Sequence, residues 1–290
     1  TQTPGVVLRT AQRAAEDGEG TLEETVLHVR SMRGGFSGGT IDSMRRQFAE
    51  MGQDEERAAI VADPFGLSPD RDAEPDRHDA GRPAAGEGQA AEGVRGRVRR
   101  LASASPVRRT GGSGTWQAPF FMASYNTRIV RRSNALTDWS YGRGFRYSEV
   151  TDTGSGPRGA VTAGVLTGAL AGMAAGMRFS PTRALLDRAL PKPGEGPSEE
   201  DMARGRFVME VEATTTTGAR YVTRVAADKD PGYTGTAVML GEAALALAAE
   251  DAALPDRAGV LTPATGLGDA LVERLRAHGF TLTTERRTDR

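Results

Sequence analysis

Within eight residues, Arg33-Gly34-Gly35-Phe36-Ser37-Gly38-Gly39-Thr40, the chain places four glycines and two hydroxyls. Glycine removes the side chain where a ligand or another backbone must approach closely. Ser37 and Thr40 stand just ahead of a helical pattern, where free backbone N–H groups attract an anionic or carbonyl oxygen. The segment lacks the order of G-x-G-x-x-G, and it lacks the Gly-Lys-Ser/Thr ending of a phosphate-binding loop. Two readings stay open: contact with a ligand or cofactor, or a tight strand–helix connection that binds nothing.

A second block runs Met122-Ala123-Ser124-Tyr125-Asn126-Thr127-Arg128-Ile129-Val130-Arg131-Arg132-Ser133-Asn134-Ala135-Leu136. At helical spacing Asn126 and Val130 share one face with Asn134, and Arg128 and Arg132 share another. Such an amide bonds a neighbour or a ligand; the plainer alternative is a helix with a solvated basic face. A third stretch, 159–177, contains no charged residue, and Gly164, Gly168, Gly172 and Gly176 recur every fourth position. In an apolar helix this is a close-packing pattern. The stretch reads as a buried helix, as a lining for a greasy substrate or membrane surface, or as a membrane span. Its Ala, Gly and Thr content is marginal for the last.

The remaining chemistry is limited. With no cysteine, disulfides, thiolate nucleophiles and cysteine metal sites are excluded. His28, His78 and His278 lack metal-site spacing and read as surface or interface residues, and no G-x-S-x-G elbow supports a serine triad. A net charge of −1 provides no field to steer nucleic acid, so no nucleic-acid partner is expected. No basic segment followed by an apolar one marks a secretory signal, and the opening Thr1-Gln2-Thr3-Pro4-Gly5 reads like the middle of a longer protein.

The elements that would position these groups follow from periodicity. Residues 4–16 suit a helix that ends at Gly18 and Gly20. Residues 24–32 suit a strand, with Leu27 and Val29 on one face and His28 and Arg30 on the other. Ile41 to Met51 suits a helix with Met44, Phe48 and Met51 as its ridge. Residues 70–115 are rich in Asp, Arg, Gly, Ala, Glu and Pro and poor in large apolar side chains, which predicts a disordered or long surface insertion. Pro119 to Leu136 suits a helix, and 145–150 a strand. Phe207–Val211 and Tyr221–Val225 suit an antiparallel hairpin. Further helices are expected over 236–250 and from Thr262-Pro263 to Gly279, before a short strand at 280–283. The class is α+β: a mostly antiparallel mixed sheet with helices packed on one face. Residues 1–69 and 116–290 form one substrate or dimerisation domain interrupted by 70–115.

Several blocks resemble a known family in one consistent order. Arg33 to Ile41, and Asn126 to Leu136 followed by Tyr141-Gly142 and Phe145-Arg146-Tyr147, are similar to saccharopine dehydrogenase-like proteins related to trans-acting enoyl reductases. So are Gly194-Glu195-Gly196-Pro197, Asp230-Pro231-Gly232-Tyr233, Met239-Leu240-Gly241-Glu242 and Leu261-Thr262-Pro263-Ala264. In that family a Rossmann domain precedes this region, so the resemblance implies the C-terminal part without its NADP- or NAD-binding half. It further implies NAD(P)H-dependent reduction of a carbon–carbon double bond in a lipid-like acyl or polyketide chain. A homodimer, and a cytoplasmic location with contact to the inner membrane face, fit the same picture. Gly34, Gly35, Phe36, Ser37, Gly38, Gly39 and Thr40 would lie near nicotinamide or substrate, and Asn126 and Arg131 would orient polar groups. Tyr125 and Tyr147 are named as proton sources on chemical grounds alone, because a phenol can protonate a reduced carbon. The alternative is a non-catalytic lipid- or membrane-associated protein with the same fold.

Overall fold

The computed structural model describes residues 3–34, 38–51, 56, 59–60, 63–74, 107–109, 114–178, 194, 196–249 and 253–288. Its elements are α1 (Thr3–Glu16), β1 (Leu22–Arg33), α2 (Gly38–Met51), β2 (Arg108–Arg109), β3 (Thr115–Pro119), α3 (Ala123–Leu136) and β4 (Arg146–Ser155). There follow α4 (Gly156–Arg178), α5 (Glu199–Ala203), β5 (Arg206–Thr215), β6 (Arg220–Ala227), α6 (Thr234–Ala248), α7 (Pro263–Gly266), α8 (Gly268–Ala277) and β7 (Thr281–Arg287). The strands form one sheet in the order β2-β3-β4-β1-β5-β6-β7. Only β1 and β4 run parallel, joined by the long connection that a parallel pair requires. The other pairs are antiparallel, so the expected α+β class with a mostly antiparallel mixed sheet holds.

One face of the sheet carries the core. Leu27 of β1, with its register partners Val211 of β5 and Glu149 of β4, faces α1 and α3. The Thr10 hydroxyl of α1 bonds that of Thr223 at 2.7 Å, and Thr223 bonds Thr284 at 2.9 Å, which ties the helix across β6 and β7. Val6, Val7, Leu22, Val29, Val130 and Leu275 are buried there. Removing such aliphatic surface from water stabilises by about 1.5–3 kcal/mol per side chain.

Several expectations need correction. Pro119 ends a strand rather than opening a helix, because Thr115 to Pro119 pair with β4 and the helix begins at Ala123. The last helix is two, α7 and α8, divided at Leu267 where Gly268 takes φ +52°. Helix α4 is not buried. It lies along β3 and β4, yet Val161 is 66% and Val165 64% exposed, and a β-carbon on Gly164, Gly168 or Gly172 would meet nothing within 4 Å. Among the described residues, Gly164, Gly168 and Gly172 therefore pack on nothing. Among the described residues no helix is long and apolar enough to cross a membrane. The side chains of Met44, Phe48 and Met51, and most of the 70–115 segment, lie outside the described residues; Arg108 and Arg109 within it form the edge strand β2.

Candidate functional site

Strand β4 brings Tyr147 and Glu149 to the helix-covered face, since residues two apart share a face. Helix α3 lays Asn126 over them. Glu149 is 4% exposed, and its carboxylate accepts from Asn126 Nδ2 and from the Tyr147 hydroxyl, each at 2.9 Å. Burial pushes the Glu149 carboxyl up to about 7, although both hydrogen bonds pull the other way. Burial, then the neighbouring Glu149 charge, holds the Tyr147 phenol well above its ordinary value. Asn126 Oδ1 is buried without a partner. Of the residues expected near substrate, Asn126, Tyr147 and Arg131 are thus gathered in one place, because Arg131 Nη2 donates to the Tyr147 carbonyl at 3.3 Å. Tyr147 is closed off as a proton source, its hydroxyl being spent on Glu149 beneath the helix. Tyr125 is half-buried one position along α3, and burial raises its phenol too.

The arginines of α3 do not form a solvated basic face. Arg128 donates to the Asp63 carbonyl at 3.1 Å, Arg131 to that of Pro64 at 3.2 Å, and Arg132 to that of Leu67 at 2.6 Å. Arg131 also lies over the Phe65 ring, 5.0 Å from its centre. Planar guanidinium groups suit this work, each offering several donors to carbonyls that would otherwise be orphaned. Asn134 acts similarly on the following turn, donating to Gly142 O and accepting from Tyr141 N.

The glycine-rich connection begins at the end of β1. A β-carbon on Gly34 would stand 2.1 Å from Asp230 Oδ1, and one on Gly205 would stand 2.3 Å from Asp230 Cα. A β-carbon on Gly196 would stand 2.7 Å from Cε2 of the Tyr233 ring. Three blocks distant in sequence therefore close on Asp230-Pro231-Gly232-Tyr233, and Asp230 Oδ1 is buried without a partner. Gly38, Gly39 and Thr40 open α2, with Gly38 buried, Gly39 exposed and Thr40 half-buried; Gly35, Phe36 and Ser37 lie outside the described residues. The described part does not fit the cradle of an NADP or NAD diphosphate, because a buried carboxylate stands against Gly34 where the anion would approach. Among the described residues no cluster of side chains could hold a metal.

The opposite face of the sheet holds a second polar group that the sequence reading missed. His28 is 6% exposed, a buried residue rather than a surface one. Its Nδ1 lies 3.2 Å from Asp152 Oδ1, and Gln117 Nε2 lies 3.3 Å from each of those atoms. Arg30 grips the other Asp152 oxygen and bonds Glu210 at 2.8 Å and Glu212 at 2.5 Å. Arg224 completes the row from β6, at 2.9 Å from Glu210. Burial alone would raise the Asp152 carboxyl, but the hydrogen bond to His28, with the charge and hydrogen bond of Arg30, outweighs it and holds it below its ordinary value. The alternation of β1 put His28 and Arg30 on one face; their partners needed the β1–β4 pairing, which no local pattern reveals.

No family model matches the chain, and no solved structure matches it. Named relatives do. The chain is 41% identical to the trans-acting enoyl reductase of Mycobacterium ulcerans over 95% of its own length, and 39% identical to the Mycobacterium bovis protein of that name, again over 95%. A Mycobacterium tuberculosis protein given the same name provisionally is 47% identical over 94% of the chain. The chain spans 62% of the length of each of these relatives.

Proposed function

We propose that the chain is the substrate-binding part of an NAD(P)H-dependent enoyl reductase that acts in trans on lipid-like or polyketide acyl chains. The observation that carries this reading is the similarity along 94% of the chain to a protein named a trans-acting enoyl reductase. Two helix faces support the apolar substrate. Helix α4 offers Val161 and Val165, and α6 offers Leu240, 71% exposed, with Leu245 and Leu247. Aliphatic faces of this kind suit a long hydrocarbon better than a charged metabolite. In this reading the connection from Gly34 to Thr40 lies beside the acyl group. Asn126, Arg131 and Tyr147 hold the scaffold behind it, and the nicotinamide is bound by another part of the complete protein.

A segment exchange tests this. In the Mycobacterium ulcerans relative, the matched region is replaced by this chain, and NADPH oxidation is followed with the trans-2-decenoyl thioester of N-acetylcysteamine. The chimera is expected to consume NADPH only when the thioester is present. A chimera that melts cooperatively at the parent's temperature yet oxidises no NADPH with the thioester contradicts the proposal.

A further inference from the structure

We infer that His28 and Asp152 form an acid–base pair on the polar face of the sheet, with His28 Nε2 as the atom that exchanges a proton with an acyl thioester ligand. The inference rests on the enoyl reductase reading for its ligand class and on geometry for its residues. Asp152, kept ionised, offers only acceptors, so the imidazole nitrogen 3.2 Å from it carries the hydrogen. That leaves the lone pair on Nε2. Nε2 has no hydrogen-bond partner among the described residues, and it is not one of the buried polar atoms cut off from solvent. A base oriented by a carboxylate on its far nitrogen, with the near nitrogen open, is the arrangement that general acid–base chemistry needs.

The surroundings hold the pair in place. Gln117 Nε2 on β3 donates to the same Asp152 oxygen that faces His28, and Arg30 on β1 fixes the second oxygen of Asp152. Glu210 and Glu212 on β5, with Arg224 on β6, extend the charged row from Arg30. Tyr147 cannot take this role, being locked on Glu149.

The step balances without any redox partner. The C–H bond next to the thioester carbonyl breaks, its proton passes to Nε2, and its electron pair moves onto the carbonyl oxygen as an enolate. Run backwards, the same step places a proton on the carbon that an enoyl reduction leaves electron-rich.

Proton exchange can be measured on the chain by itself. In D2O, with the octanoyl thioester of N-acetylcysteamine as probe, deuterium entry at the carbon beside the carbonyl is read by mass spectrometry. The wild-type chain is expected to catalyse it, and His28→Gln, its melting temperature checked in parallel, is expected to lower the rate by roughly 100-fold or more. Asp152→Asn is the positioning test: it should lower kcat for the exchange and leave KM nearly unchanged, because the imidazole loses the carboxylate that fixes its tautomer and orientation. Exchange that is equal in wild type and His28→Gln overturns the pair and leaves the enoyl reductase reading standing. No exchange by the wild type also overturns the pair, while the enoyl reductase reading stands or falls with NADPH oxidation by the chimera. Should His28→Gln fail to fold, an unchanged kcat in Asp152→Asn overturns the pair.

Discussion

At the scale of single residues, Glu149 makes a prediction that its neighbours do not. Its carboxyl is pushed up to about 7 in the folded protein, against an ordinary value of 4.5. A group raised on folding contributes stability that is complete below the unfolded value and is lost as pH rises through the folded one. The window here runs from about pH 4.5 to beyond pH 7. Glu149→Gln keeps the shape and cannot ionise, and the unpartnered Asn126 Oδ1 can accept from the new amide after a flip of Asn126. Chemical denaturation from pH 5 to pH 8 should therefore show the wild type losing stability relative to Glu149→Gln, by on the order of 2–3 kcal/mol at the alkaline end. Comparing the two proteins cancels Asp17, Asp152 and Glu210, whose carboxyls are held low and act in the opposite sense. Parallel curves would mean that Glu149 titrates as an ordinary carboxylate.

At the scale of elements, α6 inverts the usual order of a surface helix. Its one charged residue, Glu242, is buried, while Leu240, Leu245 and Leu247 face outward. Glu242 is held by Arg274 at 2.8 Å and His278 at 3.3 Å, both at the end of α8. Glu242→Ala leaves Arg274 without its carboxylate and opens the α6–α8 contact. Thermal denaturation should register a loss of about 1–3 kcal/mol, and an unchanged midpoint would show that the aliphatic contacts alone hold the pair.

The same elements show what local pattern can convey. The alternation of Leu27 and Val29 against His28 and Arg30 made β1 legible, and the 207–225 hairpin was legible because its two alternating runs are joined by a turn containing Gly218. Glu149 was overlooked because a lone carboxylate in an alternating strand reads as solvent-facing. Its spacing of two from the aromatic Tyr147 was the available signal. The α3 arginines misled because their carbonyl partners, 63–67, lie more than sixty residues away. The outward side of α6 was not legible, because an almost uncharged helix offers no polar face from which to orient Leu245.

For the molecule as a whole, the two faces of one sheet divide the work. The helix-covered face spends its polar groups on holding α3, the 63–67 turn and β4 together, through Glu149, Asn126 and Arg131. The other face carries the His28–Asp152 pair with an open nitrogen, and the aliphatic faces of α4 and α6 stand outside both. The end of β1 is closed by Asp230, so the glycine-rich connection gives no room for a diphosphate at Gly34. The central claim is that this chain receives the acyl group and does not by itself hold the nicotinamide. Calorimetric titration of the chain with the trans-2-decenoyl thioester of N-acetylcysteamine, and separately with NADPH, tests it most directly. The account predicts saturable heat from the thioester and none from NADPH at the same concentrations; saturable heat from NADPH with none from the thioester would contradict it.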